Sequence, residues 1–317
     1  MKVAITGATG FVGGNIAEVM HTAGVEVVAL TRSVPQVSMP WEHMVVDTSY
    51  EDRVAAALEG ADAIVHTAIA NDFQRLDAEQ AYQSYPGLTQ AVARAAVRVG
   101  ATPVYISTDW VMDGAGHRVD ESHYGRPVNT YGYLKALGEQ VIRDVAPNTG
   151  VICRIGGVMG SHRLQSSMPR SQDVGFGYFV SALINTLQAG HSFSVFSGEG
   201  VNTVATPSLA SEIGSTITRI ISRRAHGHFH IVSDDAVRRI ELARLACDVF
   251  ELDPDLLHEA PPPAAERFTE PVPVDTSLSN DRLHTDLDIG RVRVRDLLEA
   301  LRAESDGALH PVSLPET

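Results

Sequence analysis

The stretch MKVAITGATGFVGG limits what this chain can fold into more than any other feature. A short apolar run, KVAIT, is followed at once by Gly7, Gly10 and Gly13 and then by a helical pattern that reaches about His21. In a strand–turn–helix of this kind the first glycine permits the tight turn. The second lets backbone approach a pyrophosphate, and the third lets the helix pack against the sheet. The N–H groups opening the helix then face an anion that the helix dipole favours. The spacing predicts a dinucleotide site in which Gly7, Thr9, Gly10, Phe11, Val12 and Gly13 lie against the phosphates. A plain glycine-rich turn is the alternative; the position between strand and helix weighs against it.

Short apolar runs alternate with helical patterns through the first half. VEVVALT, ADAIVHTA, PVYIST and GVICRIGG read as strands. Helices are expected near Tyr50–Leu58, Ala81–Val99 and Tyr131–Val145. Repeated βα units with right-handed crossovers specify an α/β fold, a doubly wound parallel sheet with helices on both faces. Beyond Gly160 the pattern loosens: Ser161–Gly177 reads as a polar loop over the site. FVSALINTLQAG, SLASEIGSTITRIIS and IELARLACDVFEL read as helices, the last capped near Asp235, and SFSVFSGEG and GHFHIVS as strands. Leu256–Pro273, with Pro261, Pro262 and Pro263, reads as a surface loop, and a last helix spans about Val294–Ala303. The expected organisation is a nucleotide-binding domain over 1–160, with later strands near 200–235, and a small C-terminal α/β substrate domain over 161–303. Residues 304–317 read as a mobile tail.

Composition narrows the partners. The formal charge is −14, which repels phosphate backbones and makes nucleic acid an unexpected partner. Cys153 and Cys247 both lie in apolar runs and read as buried thiols of a cytoplasmic protein. No spacing of Cys or His suits a metal, and the cluster His226, His228, His230 has the alternation of a strand. Neither a signal peptide nor a membrane-spanning helix is expected. A homodimer through sheet-flanking helices fits the pattern.

Two groups of residues carry chemistry. The second strand ends at Arg32-Ser33, where an NAD site would place an acid for the ribose 2′-hydroxyl. A guanidinium suits a 2′-phosphate, so NADPH is the expected cofactor, with NADH open; an exposed surface arginine is the alternative. Asp47, followed by Thr48, is placed to meet the adenine or to cap a helix. Further on, Tyr131 and Lys135 share one helix face. A lysine ammonium lowers a nearby phenol pKa and can hold a ribose hydroxyl. Thr108 ends a strand, on the side of a doubly wound sheet where ligands bind. Its hydroxyl and the Tyr131 phenol can converge on one carbonyl oxygen and stabilise the alkoxide that hydride attack creates. Asp109 is expected either to contact substrate or to hold the turn that aims Thr108.

On these elements the chain resembles the extended short-chain dehydrogenase/reductase superfamily, and within it the dTDP-4-dehydrorhamnose reductase family. ISTDWVMDG is similar to that family's STDYVFDG and YGYLKALGE to its YGxSKxxGE. The resemblance implies a Rossmann domain with a small substrate domain, and NAD(P)H-dependent reduction of a 4-keto-6-deoxy sugar on a nucleoside diphosphate. It makes Thr108, Tyr131 and Lys135 the catalytic trio. It puts Thr67, Ala68 and Ile69 of HTAIA, with Ser107 and Ile155, against the cofactor. Asp109, Trp110, Arg163, Arg170, Phe176 and Tyr178 are then the expected substrate residues. Trp110 and Met112 replace the family's Tyr and Phe, and Ser84-Tyr85-Pro86-Gly87 replaces its Asn-x-x-Gly. The same trio could reduce another carbonyl compound or run an NAD-retaining epimerase or dehydratase cycle. A cofactor-binding regulatory subunit is the reading from outside enzymology.

Overall fold

The structure, a computed structural model, describes residues 1–35, 38–69, 76–164 and 171–306. The chain begins β1 (Lys2–Thr6), α1 (Phe11–Thr22), β2 (Glu26–Thr31), β3 (Glu42–Val45), α2 (Glu51–Ala57) and β4 (Ala63–His66). Then come α3 (Ala78–Tyr82), α4 (Leu88–Val99), β5 (Thr102–Thr108), α5 (Thr130–Val145) and β6 (Val151–Ile155). The second half carries α6 (Phe179–Gln188), β7 (Phe193–Phe196), β8 (Val204–Ala205), α7 (Ala210–Ser222) and β9 (Gly227–His230). It closes with β10 (Val237–Arg238), α8 (Arg239–Phe250), β11 (Leu257–Ala260), α9 (Asp281–Leu287) and α10 (Val294–Asp306).

The central sheet has seven parallel strands in the order β3-β2-β1-β4-β5-β6-β9. Its inner strands are apolar on both faces, as a sheet covered by helices on both sides requires. The order reverses at β1, so the carboxyl ends of β1 and β4 open a crevice between them. One apolar cluster runs from Val3 and Ile16 through Phe229 to Ile213 and Leu287, tying α1, α7, β9 and α9 together. A second joins Phe179, Leu183, Val195, Leu242, Leu298 and their neighbours around α6, α8 and α10. Among the described residues no helix is long and apolar enough to cross a membrane.

Four expectations change. The helix read over 81–99 starts at Ala78, under an Asp77–Gln80 capping box. It is interrupted by a π-turn over Gln83–Gly87, because Pro86 has no N–H to continue the ladder. Residues 257–260, read as loop, form β11 parallel to β7, and the three prolines end it. The start of α8 is closed by Arg238 N–H on Glu241 Oε2 at 2.9 Å, while Asp235 accepts from Val294 N–H at 3.3 Å. Glu304, read as tail, belongs to α10 and pairs with Arg163 at 2.9 Å; residues 307–317 lie outside the described residues.

Candidate active site

The turn after β1 shows why glycine stands at Gly7 and Gly13. Gly7 adopts φ +70°, and a Cβ there would meet Thr67 Oγ1 at 2.5 Å and the Ala68 nitrogen at 2.9 Å. A Cβ on Gly13 would lie 2.3 Å from the Gly7 carbonyl oxygen. Helix α1 therefore starts tight against β1, and no side chain caps its first-turn N–H groups. The turn before α1 opens, through Gly7, Thr9 and Gly10, on a cleft of about 900 Å³. Gly7, Thr9, Gly10, Arg32, Ser33, Asp47, Thr48, Thr67, Ala68 and Ile69 all line it, as expected of a cofactor set. Gln83, Ser84 and Leu88 line it too and were not foreseen; the π-turn carries Gln83 and Ser84 there.

Phe11 and Val12 are half-buried beside this turn, and the Phe11 ring stacks on Tyr178 with centroids 5.6 Å apart. Arg32 and Ser33 are exposed at the cleft's rim. Asp47 meets local groups: its Oδ1 accepts the Ser49 hydroxyl at 2.6 Å and the Ser49 N–H at 3.1 Å. Those bonds, with Arg53 and Arg32 nearby, hold its carboxyl below the usual range. It caps the turn before α2, where Tyr50 is the N-cap and has no side-chain bond.

At the end of β5, Thr108 and Tyr131 come together. Thr108 is buried and its hydroxyl hydrogen-bonds the Tyr131 phenol. It also donates to Asp109 Oδ1 at 3.1 Å and accepts the Trp110 N–H at 3.3 Å. Tyr131 sits in the first turn of α5, whose N-cap Asn129 accepts Gly132 N–H at 2.9 Å. Burial pushes the phenol up to about 12; the Thr108 bond opposes this, and Asp109 and Asp173 add to it. Lys135, buried one turn along, donates to the Ile106 carbonyl and lies 4.4 Å from the Tyr105 ring centroid. Burial takes it down to about 7 against the pull of Glu139. The expectation that Lys135 lowers the phenol is therefore corrected. Its ammonium faces Ile106; at Tyr131 burial and the charges of Asp109 and Asp173 act together, and at Lys135 burial outweighs the charge of Glu139.

Several expected site residues are used elsewhere. Ser107 donates to Glu139 Oε1 at 2.6 Å, away from the cleft. Ile155 is buried at the end of β6, paired with Thr108. Arg163 is no substrate residue in this arrangement: it is buried, donating to Asn15 Oδ1 at 2.8 Å and pairing with Glu18 and Glu304 at 2.9 Å each. Phe176 is buried in the second apolar cluster, 6.0 Å from Phe179. Arg170 lies outside the described residues. Trp110 lies beside Tyr131, edge-on to it at 6.2 Å and to Phe268 at 5.9 Å.

Sequence reasoning missed the charges behind this site. Glu139, the last residue of YGYLKALGE, pairs with Arg154 at 2.7 Å with both side chains fully buried. Burial alone would raise its carboxyl; the Arg154 bond and charge instead hold it down to about 2. His230 joins through Nε2 at 3.2 Å from Arg154 and is neutral, burial and Arg154 taking it down to about 3. His66, on the Thr6 hydroxyl at 2.7 Å, is likewise pushed down to about 3 by burial and then by Lys135. The glutamate within the quoted motif and the alternation in GHFH were the available signals.

The model of the RmlD substrate binding domain family matches residues 1–305. The chain belongs to this family. It is 27% identical, over 266 residues, to a probable low-salt glycan biosynthesis reductase, Agl14, of Haloferax volcanii, covering 82% of this chain and 84% of that protein. It is 33% identical over 171 residues to a dTDP-6-deoxy-L-talose 4-dehydrogenase (NAD(P)(+)) of Kitasatospora kifunensis, a match spanning 50% of this chain and 53% of that one. Among solved structures, dTDP-4-dehydrorhamnose reductase of Bacillus anthracis, in complex with NADP, has a TM-score of 0.76 over 96% of this chain and 99% of that chain at 21% identity, a likeness of fold. The family read from ISTDWVMDG and YGYLKALGE is thus borne out.

Proposed function

We propose that this protein is an NADPH-dependent ketoreductase acting on a sugar nucleotide, with a 4-keto-6-deoxy sugar as the favoured substrate. The observation that carries the reading is the hydrogen bond between Thr108 and Tyr131 at the carboxyl end of β5. It supports a reading in which one carbonyl oxygen meets both hydroxyls. The relatives are named as reductases and dehydrogenases of such sugars, which supports the class of substrate.

The cleft fits a dinucleotide. Glycine leaves the backbone bare at the turn, the uncapped α1 N-terminus offers N–H groups to a pyrophosphate, and Arg32 stands at the rim for a 2′-phosphate. The bound cofactor supplies the hydride. Tyr131 donates the proton to the developing alkoxide, and Thr108 holds that oxygen. Lys135 has hydrogens beyond the one it gives Ile106 and would hold the nicotinamide ribose. A phenol at about 12 is a weak acid, and the Thr108 bond is what lowers it against burial. Trp110 and Phe268 form an apolar edge that excludes water from the oxygen. We further assign cofactor binding to a domain over 1–160, with later strands near 200–235, and substrate binding mainly to one over 161–303.

NADPH oxidation with a panel of keto-sugar nucleotides tests this. Tyr131→Phe should lower turnover by about 10²–10⁴-fold while NADPH binding stays intact; unaltered turnover sinks the mechanism. Arg32→Asp should move preference from NADPH toward NADH, and equal use of both before and after would refute the 2′-phosphate contact.

A further inference from the structure

Asp109 lies beside the reacting end of Thr108 with its carboxylate enclosed. Oδ1 accepts the Thr108 hydroxyl at 3.1 Å and Oδ2 the Thr276 hydroxyl at 2.6 Å, and the residue is only 4% exposed. Behind it, a Cβ on Gly156 would come within 3.0 Å of Oδ2, so the end of β6 leaves no space there. Thr276 is itself held by Asn202, whose amide donates to it at 3.2 Å and to the Pro273 carbonyl at 2.8 Å. A carboxyl group just past the end of β5 is thus gripped by a segment far along the chain.

Proton counting gives this contact a consequence. Thr108 has one hydroxyl proton, and an ionised carboxylate only accepts. While Asp109 is ionised it takes that proton, and the Thr108 oxygen accepts the Trp110 N–H with a lone pair. In that state Thr108 has nothing to donate to a substrate oxygen. A protonated Asp109 can itself donate to Thr108, and the Thr108 proton then turns outward. We propose that Asp109 is a positioning residue whose protonation sets the direction of the Thr108 hydroxyl: ionised it keeps the proton inward, protonated it releases it toward the substrate carbonyl. The proton that charges or discharges Asp109 comes from and returns to solvent, and the proton consumed in the reaction remains that of Tyr131.

Burial pushes the Asp109 carboxyl up to about 6, with the Thr276 and Thr108 bonds pulling it back, so the change falls near working pH. The titratable groups around it are Tyr131 on α5 and, through Tyr131, Asp173 on the 171–178 loop. Lys135 on the same helix is turned to Ile106. The inference rests on the ketoreductase reading for its turnover readout only.

The test measures kcat/KM against pH with the keto-sugar that turns over, alongside carbon-13 NMR titration of the aspartate carboxyls in the full chain. The wild type should lose activity by about tenfold per pH unit above the Asp109 changeover. Asp109→Asn should abolish that limb, because an amide N–H donates to Thr108 at every pH. Thr276→Val removes a bond that lowers the pKa and should move both the limb and the carboxyl titration to higher pH by roughly one unit, with NADPH affinity unchanged. A limb that persists unaltered in Asp109→Asn, a limb that stays put in Thr276→Val, or an Asp109 carboxyl that titrates in the ordinary carboxylate range overturns the proposal. Absence of turnover with every keto-sugar would sink the reductase reading instead. The NMR titration would still stand as the test of Asp109.

Discussion

The floor of the cleft and the wall beside it are held by opposite means. At the floor, Gly7 and Gly13 let α1, β1 and β4 touch through backbone, with the Gly7 carbonyl 2.9 Å from the Gly10 N–H. The wall over 171–178 is held largely by a side chain from α8, with the Asn202 N–H on the Val174 carbonyl at 2.9 Å beside it. Arg239 donates to Gln172 Oε1 and the Asp173 carbonyl at 3.2 Å each, to the Asn202 carbonyl at 3.3 Å, and to the Gly175 carbonyl. Its guanidinium also covers the rings of Phe176 and Phe179 at 4.7 and 5.0 Å. Gly175 in turn abuts Trp110, where a Cβ would lie 2.8 Å from Cζ2. The floor is therefore set by local chain geometry. The wall is set by a long-range staple, so the two should respond differently to substitution.

Gly13→Ala is expected to have the larger effect. The new methyl would strike the backbone of the turn, which cannot swing aside. NADPH affinity should fall at least about tenfold, and unfolding in denaturant should show a loss of about 1–3 kcal/mol. Unchanged NADPH affinity would mean the floor is not the cofactor site. Arg239→Gln comes next. It strands carbonyls inside the wall, a cost of about 1–3 kcal/mol, and should raise KM for the sugar substrate while leaving NADPH affinity alone. An equal loss of NADPH affinity would erase the distinction between floor and wall.

The smallest effect is a dependence on acid that belongs to the sheet side. His66 and His230 are depressed in the fold to about 3 from an ordinary 6.5. The unfolded chain binds their protons first, so this contribution is full above the ordinary value and is lost as pH falls toward 3. Glu139, held to about 2 from 4.5, adds a second loss over the lower part of that range. Thermal melts should decline as pH falls below about 7, and His230→Gln should flatten the first part of the decline. A melt indifferent to pH across this range would remove the buried histidines from the account.

Much of the floor was legible in the chain. Gly7, Gly10, Arg32, Asp47 and Ala68 were placed in the cleft because strand–turn–helix spacing and period are local properties. Tyr131 and Lys135 were put on one face by helical spacing alone, and Thr108 meets Tyr131 as expected. The wall was not legible. Arg163 and Phe176 looked like substrate groups in a polar loop. Their partners, Glu18 and Glu304 for one and Phe179 and Arg239 for the other, lie on other elements. The π-turn was hidden as well. Pro86 marked a break in the helix, but which side chains the break would turn toward the cleft depends on its packing against α5.

By itself the sequence determined the parallel sheet, the glycine turn, the placing of Tyr131 and Lys135 on one helix face and the family, since each follows from spacing along a few residues. Tertiary structure alone decided protonation and orientation. Desolvation raised Tyr131 and lowered Lys135, a buried arginine claimed Glu139, and Thr276 closed on Asp109 from far along the chain. Those outcomes depend on which groups exclude water from one another, and no local pattern records that.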